Sequence, residues 1–265
     1  MANELSKRAA LVARLDARGL SLFWHDTLDS TNNEAKRRAH ELPVPAVLVA
    51  DAQSAGRGRM GRSFFSPQGT GLYFSYLTEI CEQATTVGMT AAAAVATARA
   101  IRRTTGVETE IKWVNDLLLD GKKVAGILCE SFGADDRRFA VIGIGINLES
   151  PSGGFPAELQ RKAGALDVAA YDREALVEAL AEELHALVCA LPDKGFMQEY
   201  RARSAVLGRR VRYTVNGSEH EAEAIAIDDG GVLLVRHADG AEATLASGEI
   251  SLSYEWFESN EIREG

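Results

Sequence analysis

Hydrophobic positions along this chain change period several times, and each change marks an element. Residues 4–17 carry Leu5, Ala9, Val12 and Leu15 at helical spacing, and Gly19 ends that helix. Residues 21–25 read as a strand, and Ala46 to Ala50 as the continuous apolar run of a strand buried on both faces. Between them Thr31-Asn32-Asn33-Glu34 has capping-box spacing, which predicts a helix to about His40, before Pro43 and Pro45. Leu72 to Leu77 predicts another strand, and Thr85 to Thr105 a long alanine-rich helix closed by Gly106. Over residues 107–113 the period returns to two. Val107, Thr109, Ile111 and Trp113 share one face, and Glu108, Glu110 and Lys112 the other, so Lys112 projects from a sheet.

Asp120-Gly121 between two apolar runs predicts a hairpin, and Phe139 to Ile146 a further strand. Residues 150–155 read as a loop, and Leu176, Leu180, Leu184, Leu187 and Leu191 as an amphipathic helix. After about Val206 the spacing shortens. Strands are predicted over 210–215, 221–227, 232–236, 242–245 and 250–252, with Asn216-Gly217, Asp229-Gly230-Gly231 and Asp239-Gly240 between them. The pattern gives an α/β domain over residues 1–204 and a small all-β domain over residues 205–265.

A chain of 265 residues with 46% hydrophobic positions can bury a sizeable core. Its formal net charge of −9 argues against general nucleic-acid or membrane binding. Cys81, Cys129 and Cys189 are odd in number and show no CxxC spacing, so buried thiols in a reducing cytoplasm are expected rather than disulfides or a zinc site. The first 20 residues lack the apolar core of a signal peptide, and the weakly apolar run Met89 to Ala98 is too short to span a bilayer.

Against that acidic background, Gly56-Arg57-Gly58-Arg59-Met60-Gly61-Arg62 packs three glycines and three arginines into seven residues. Glycine allows close backbone approach, and the arginine fork matches phosphate and carboxylate geometry. The pairing suggests a loop that closes over an anion; a solvated basic turn is the plainer alternative. Polar residues also gather at Ser30-Thr31-Asn32, at Lys112-Trp113-Val114-Asn115-Asp116 and at Lys122-Lys123-Val124-Ala125-Gly126. Taken singly, Ser30 and Thr31 can be helix caps, Asn115-Asp116 turn residues, Lys122 and Lys123 solvated hairpin lysines, and Trp113 core. Histidines 25, 40, 185, 220 and 237 are scattered, with no Ser-His or Cys-His arrangement for nucleophilic catalysis.

In this order, however, the segments resemble the biotin protein ligase family, the biotin–[acetyl-CoA-carboxylase] ligases. The resemblance runs from about Trp24 to Leu252. It is carried by Asp29-Ser30-Thr31-Asn32, Gln53 through Arg62, Phe65-Ser66-Pro67, Lys112 through Asp116, Lys123 through Leu128, Gly143-Ile144-Gly145-Ile146-Asn147 and Gly248-Glu249-Ile250-Ser251-Leu252. The resemblance implies a mixed-sheet catalytic domain related to class II aminoacyl-tRNA synthetases, followed by an SH3-like barrel. It implies activation of biotin with ATP, with Mg²⁺, to biotinyl-5′-AMP, then transfer to a lysine of a biotin carboxyl carrier protein domain.

By similarity, Ser30, Thr31, Asn32, Gln53, Gly56, Arg57, Gly58, Arg59, Lys123 and Gly126 would bind biotin. Arg57, Arg59, Lys112, Asn115 and Asn147 would meet ATP, and Arg59, Lys112 and Lys123 would be catalytic. Val114 departs from the proline of many relatives and is expected to hold an extended backbone; Ser253 departs from a basic residue. With only about 20 residues before the match, no DNA-binding module and no specific DNA binding are expected. A cytoplasmic enzyme, without membrane contact and compatible with a homodimer, is the resulting expectation. The competing classes are a lipoate or octanoate transferase, a biotin-sensing DNA-binding regulator, and a generic nucleotide-binding protein. The last lacks any P-loop or strand-placed GxGxxG to support it.

Overall fold

Among the described residues seven strands make one mixed sheet, and five more make a small antiparallel sheet after it. The structure is a computed structural model that describes residues 2–80, 85–134, 136–215, 217–246, 248 and 250–252, with side chains from residue 6 onward. Cys81, Asn216, Glu249, Ser253 and the side chain of Leu5 therefore lie outside the described residues. The chain runs α1 (Ala2–Asp16), β1 (Ser21–Leu28), α2 (Thr31–Arg37), β2 (Ala46–Gln53), β3 (Gly71–Glu79), α3 (Thr86–Thr105), β4 (Glu110–Lys112), β5 (Asp116–Leu119), β6 (Lys122–Ala134) and β7 (Arg137–Asn147). Helices α4 (Arg173–Cys189) and α5 (Phe196–Ala202) follow, then β8 (Arg210–Val215), β9 (Ser218–Ile227), β10 (Leu233–Arg236), β11 (Glu242–Leu245) and β12 (Ile250–Leu252).

The large sheet has the order β1-β2-β3-β7-β6-β5-β4, with β1 and β2 parallel and the other neighbours antiparallel. Alternate residues of its strands sort onto two faces. Val47, Val49, Phe74, Tyr76, Ile142 and Ile144 pack under α1, α3 and α4. Leu48, Leu77, Phe139 and Val141 pack under Ala35 of α2 and Ala39 of the turn after it. Residues Met89 to Ala98 of α3 are all buried, because small side chains let this helix lie between the sheet and α4. No helix among the described residues is long and apolar enough to cross a membrane.

Several expectations need correction. In α1 the buried residues are Leu11 and Leu15, with Val12 partly buried, while Ala9 is exposed. Helix α2 stops at Arg37, short of His40. Its N-cap is Ser30 rather than Thr31, and no side chain caps it, so the capping-box spacing is not used as one. The alternation over 107–113 survives in the burial of Thr109, Ile111 and Trp113, but only Glu110–Lys112 pairs as a strand. Residues 113–115 form the turn between β4 and β5, so Val114 is not in an extended run.

Trp113 is core, 3% exposed, and its Nε1 donates to Gly231 O across to the second sheet at 2.9 Å. Cys129 is partly buried and Cys189 exposed, so the thiols are not uniformly hidden. Helix α5 has no counterpart in the sequence reading, since seven residues give too few turns for a period to show. It buries Phe196, Met197 and Tyr200, and the Tyr200 hydroxyl donates to Val114 O at 3.0 Å.

Candidate functional site

The α2 face of the sheet is filled at one end and hollow at the other. Phe139 and Val141 of β7, with Phe132 of β6, pack beneath α2. Further along the same faces the side chains shrink to Gly143 and Gly145 on β7 and Gly126 on β6, where Gly126 pairs directly with Gly145. Glycine inside a strand often marks close approach by another group, and that is its use here. A Cβ on Gly143 would stand 2.3 Å from Asn32 Oδ1, and one on Gly145 2.5 Å from the Phe64 ring. One on Gly126 would stand 2.8 Å from Lys123 Cε and 3.2 Å from Phe64. Over this floor lies a cavity of about 50 Å³, whose walls include Thr31, Asn32, Gln53, Arg57, Arg59 and Lys123.

One wall is the start of α2. Ser30, Thr31 and Asn32 are each 3% exposed or less. The Thr31 amide donates to Gln53 Oε1 at 2.8 Å, and its hydroxyl reaches the same oxygen at 3.2 Å. Gln53 Nε2 donates to Ser66 Oγ at 3.0 Å, and Ser66 in turn donates to Phe64 O at 2.8 Å. Ser75 Oγ lies 2.7 Å from Thr31 Oγ1 and 2.6 Å from Asn32 Oδ1. Buried hydroxyls and amides need partners, and these largely satisfy one another. Each still has donor or acceptor capacity for a small polar ligand.

The opposite wall is cationic. Arg57 Nη1 donates to Asn33 Oδ1 at 3.1 Å and to Glu130 Oε1 at 3.2 Å. Glu130 also takes Lys36 Nζ at 2.8 Å and Asn32 Nδ2 at 3.0 Å. Burial pushes the Glu130 carboxyl up, but hydrogen bonds from Lys36 and Asn32 and the Arg57 charge outweigh it and hold the group below its ordinary value. Arg59 Nη1 donates to Asn115 Oδ1 at 3.0 Å and to Gly248 O of the small sheet's segment at 3.3 Å. Asn115 Nδ2 in turn holds Ile127 O at 3.0 Å. Lys123 Nζ stands 2.7 Å from Asp116 Oδ1 and 5.9 Å from the Phe64 ring centroid.

The Gly/Arg segment is a hydrogen-bonded loop over the hollow. Gly58 N donates to Arg62 O at 2.7 Å and Phe64 N to Gly56 O at 2.9 Å, with a short 3₁₀ turn at Arg59–Gly61. Met60, at the tip, has φ 55° and is 77% exposed. Phe64 anchors the other end on the glycine floor, against Tyr73.

Three sequence-named residues do not line the cavity. Gly56 supports the base of the loop, where a Cβ would come 2.4 Å from Phe64 O and from Ser66 Oγ. Lys112 ends β4, opposite Asp116. Asn147 donates from Nδ2 to Gly164 O at 2.8 Å and accepts from Leu166 N at 3.0 Å, tying the end of β7 to the following segment. Sequence reasoning gave no site role to Phe64 or Glu130, nor to Gly143 and Gly145, although their segment carries the resemblance. Alternate glycines in a strand were a usable signal for two of them; Glu130 has none, because its partners are remote in sequence.

The arrangement suits a ligand with a compact polar head and an anionic end. The profile of the Biotin/lipoate A/B protein ligase family matches residues 24–147, and that of the Biotin protein ligase C terminal domain matches residues 206–253. The chain is 36% identical over 250 residues to the "Bifunctional ligase/repressor BirA" of Bacillus subtilis, across 86% of this chain and 73% of that one. It is 33% identical to the "Biotin--[acetyl-CoA-carboxylase] ligase" of Paracoccus denitrificans, across 83% of this chain and 95% of that one. Among solved structures it is similar to the biotin protein ligase of Aquifex aeolicus in complex with biotin and ATP. That match has a TM-score of 0.74 at 27% identity and covers 88% of this chain and 98% of that one.

Proposed function

Since the chain belongs to the biotin protein ligase family, we propose that it activates biotin with ATP to biotinyl-5′-AMP and transfers the biotinyl group to a lysine of a carboxyl carrier domain. The observation that carries this is one hollow with two chemistries: hydroxyl and amide groups at Thr31, Asn32 and Gln53, and cations at Arg57, Arg59 and Lys123. A cyclic urea has one carbonyl acceptor and two N–H donors, which the first set complements. A carboxylate and a triphosphate are both anions, which the second set can hold together.

In the first step a biotin carboxylate oxygen bonds to the α-phosphorus of ATP while the bond to pyrophosphate breaks. Arg57 and Arg59 hold the two anions in line, and Lys123 meets the charge that develops on the acyl-phosphate oxygens. Asn115, which Arg59 holds at 3.0 Å, would meet the nucleotide in this reading, with Lys112 and Asn147 nearby. In the second step a neutral lysine amine bonds to the acyl carbon, AMP leaves with the C–O electron pair, and the amine loses its extra proton. No covalent enzyme intermediate is needed. Among the described residues no three His, Cys, Asp or Glu side chains gather into an ion cage. We take Mg²⁺ to enter with the nucleotide's phosphates, where it would neutralise their charge.

The test is biotin-dependent pyrophosphate release, followed by mass spectrometry of an acceptor carrier domain. One added biotin is expected. Addition of lipoate but not biotin would refute the assignment.

A further inference from the structure

We infer that Glu130 is a positioning residue that couples the ligand-head pocket to the Gly/Arg loop, an inference resting on the function proposed above. Its carboxylate is the meeting point of three elements. From β6, Oε2 accepts from Asn32 Nδ2 at 3.0 Å, and Oε1 accepts from Lys36 Nζ at 2.8 Å and Arg57 Nη1 at 3.2 Å. Asn32 and Lys36 lie one turn apart on α2, and Arg57 belongs to the loop.

The first consequence is the orientation of Asn32. An ionised carboxylate only accepts hydrogen bonds, so it must face the amide NH₂. The second N–H goes to Leu128 O at 3.2 Å. Both donors are then spent, and Oδ1 is turned toward Ser75 and over the hydrogen of Gly143. With one lone pair on Ser75, the other remains for a ligand N–H. Without the Glu130 charge the NH₂ keeps only the longer bond to Leu128 O, and the amide is held less firmly with its acceptor toward the ligand.

The second consequence concerns Arg57. Glu130 draws one Nη1 of the fork inward, beside Asn33, and leaves the other N–H groups for a ligand carboxylate. A single carboxylate thus sets both the acceptor for the ligand head and the cation for its anionic end. A purely structural tie between β6 and α2 would need only Lys36.

The test uses the full chain with pyrophosphate release as readout. Glu130→Gln should raise the KM for biotin about 10-fold or more, the scale of a lost charge-assisted hydrogen bond, with the KM for ATP within about 2-fold. Lys36→Met, which removes the helix tie but leaves Asn32 and Arg57 on the carboxylate, should leave the biotin KM within about 2-fold. Should Glu130→Gln fail to fold, Glu130→Asp carries the same expectation, because one methylene less cannot span both Asn32 and Arg57. Equal rises in both KM values, an unchanged biotin KM, or a Lys36→Met effect as large as that of Glu130→Gln would each overturn the positioning role. Wild-type protein without biotin-dependent pyrophosphate release would instead overturn the proposed function, and this inference with it.

Discussion

Adding one methyl group to the cavity floor should separate ligand recognition from folding. In Gly143→Ala the new Cβ would lie 2.3 Å from Asn32 Oδ1, 2.8 Å from its Cγ and 2.9 Å from its Nδ2. Ordinary contact begins at 3.4 Å, so Asn32 must retreat by about 1 Å. It has nowhere easy to go: Ser75, Leu128 O and Glu130 all hold its amide. Retreat strains or breaks about two of these bonds. The cost in stability should be about 1–3 kcal/mol, typical of an overpacked core, or several degrees of melting temperature for a chain of this size. The cost in recognition should be larger in effect. An acceptor displaced by about 1 Å forfeits roughly a hydrogen bond to the ligand and leaves a buried N–H unpaired, raising the biotin KM about 10- to 100-fold.

Gly133→Ala is the control, on the same strand β6, with nothing within 4 Å of its added Cβ. Steady-state pyrophosphate release at varied biotin, with thermal melts of both variants, gives the comparison. Gly126→Ala should behave differently. Its Cβ meets the flexible end of Lys123, at 2.8 Å from Cε and 2.9 Å from Nζ. The lysine can move, so stability should hold while kcat falls. A Gly143→Ala protein with a wild-type KM for biotin would refute the claim that Asn32 over the glycine floor recognises the ligand.

Lys123→Ala should lower adenylation by on the order of 10²–10³ while melting within a few degrees of wild type, since the side chain is 33% exposed; near-normal turnover would contradict its placement. Hydrogen exchange over residues 55–65 should slow on adding biotin. Arg57, Gly58 and Arg59 of this loop line the cavity, so a bound ligand adds contacts that hold it; equal protection with and without biotin would count against this. The Glu130 carboxyl sits below its ordinary value of 4.5, so its contribution to stability is present above that pH and is lost as pH falls through the lower folded value. Glu130→Gln should therefore flatten the acid limb of the stability curve, and an unchanged limb would show that the carboxylate is not held in this way. Trp113→Phe should cost about 1–2 kcal/mol by leaving Gly231 O without its donor, read as a lower melting temperature; an unchanged melt would mean that water replaces the indole.

Much of the chain was legible because its signals are local. The apolar run Ala46 to Ala50, the Asp120-Gly121 hairpin and the leucine stripe of α4 from Leu176 to Leu187 each follow from neighbours within a few residues and appear as expected, while Leu191 falls in the turn beyond α4. Errors fell where a distant partner overrides the local pattern. Thr31 looked like a cap, but Gln53 and Ser75 draw its hydroxyl inward, so it became a wall of the site. Of the strand over 107–113 only Glu110–Lys112 pairs, against residues 116–118 of β5, and Trp113 is taken up by the turn that follows.

What the sequence determined by itself is the order of elements, the α/β-then-β division of its patterns and a set of segments in family order. These depend on period, turn chemistry and residue type, which are properties of contiguous stretches. What only the tertiary structure decided is which of those segments share one hollow. Gly126 faces Gly145 because β6 and β7 pair in that register, and a shift of one residue would turn both to the other side of the sheet. Glu130 meets Lys36 and Arg57 across 94 and 73 residues of chain. No period or spacing carries that meeting, since it exists only once the helix, the strand and the loop are packed against one another.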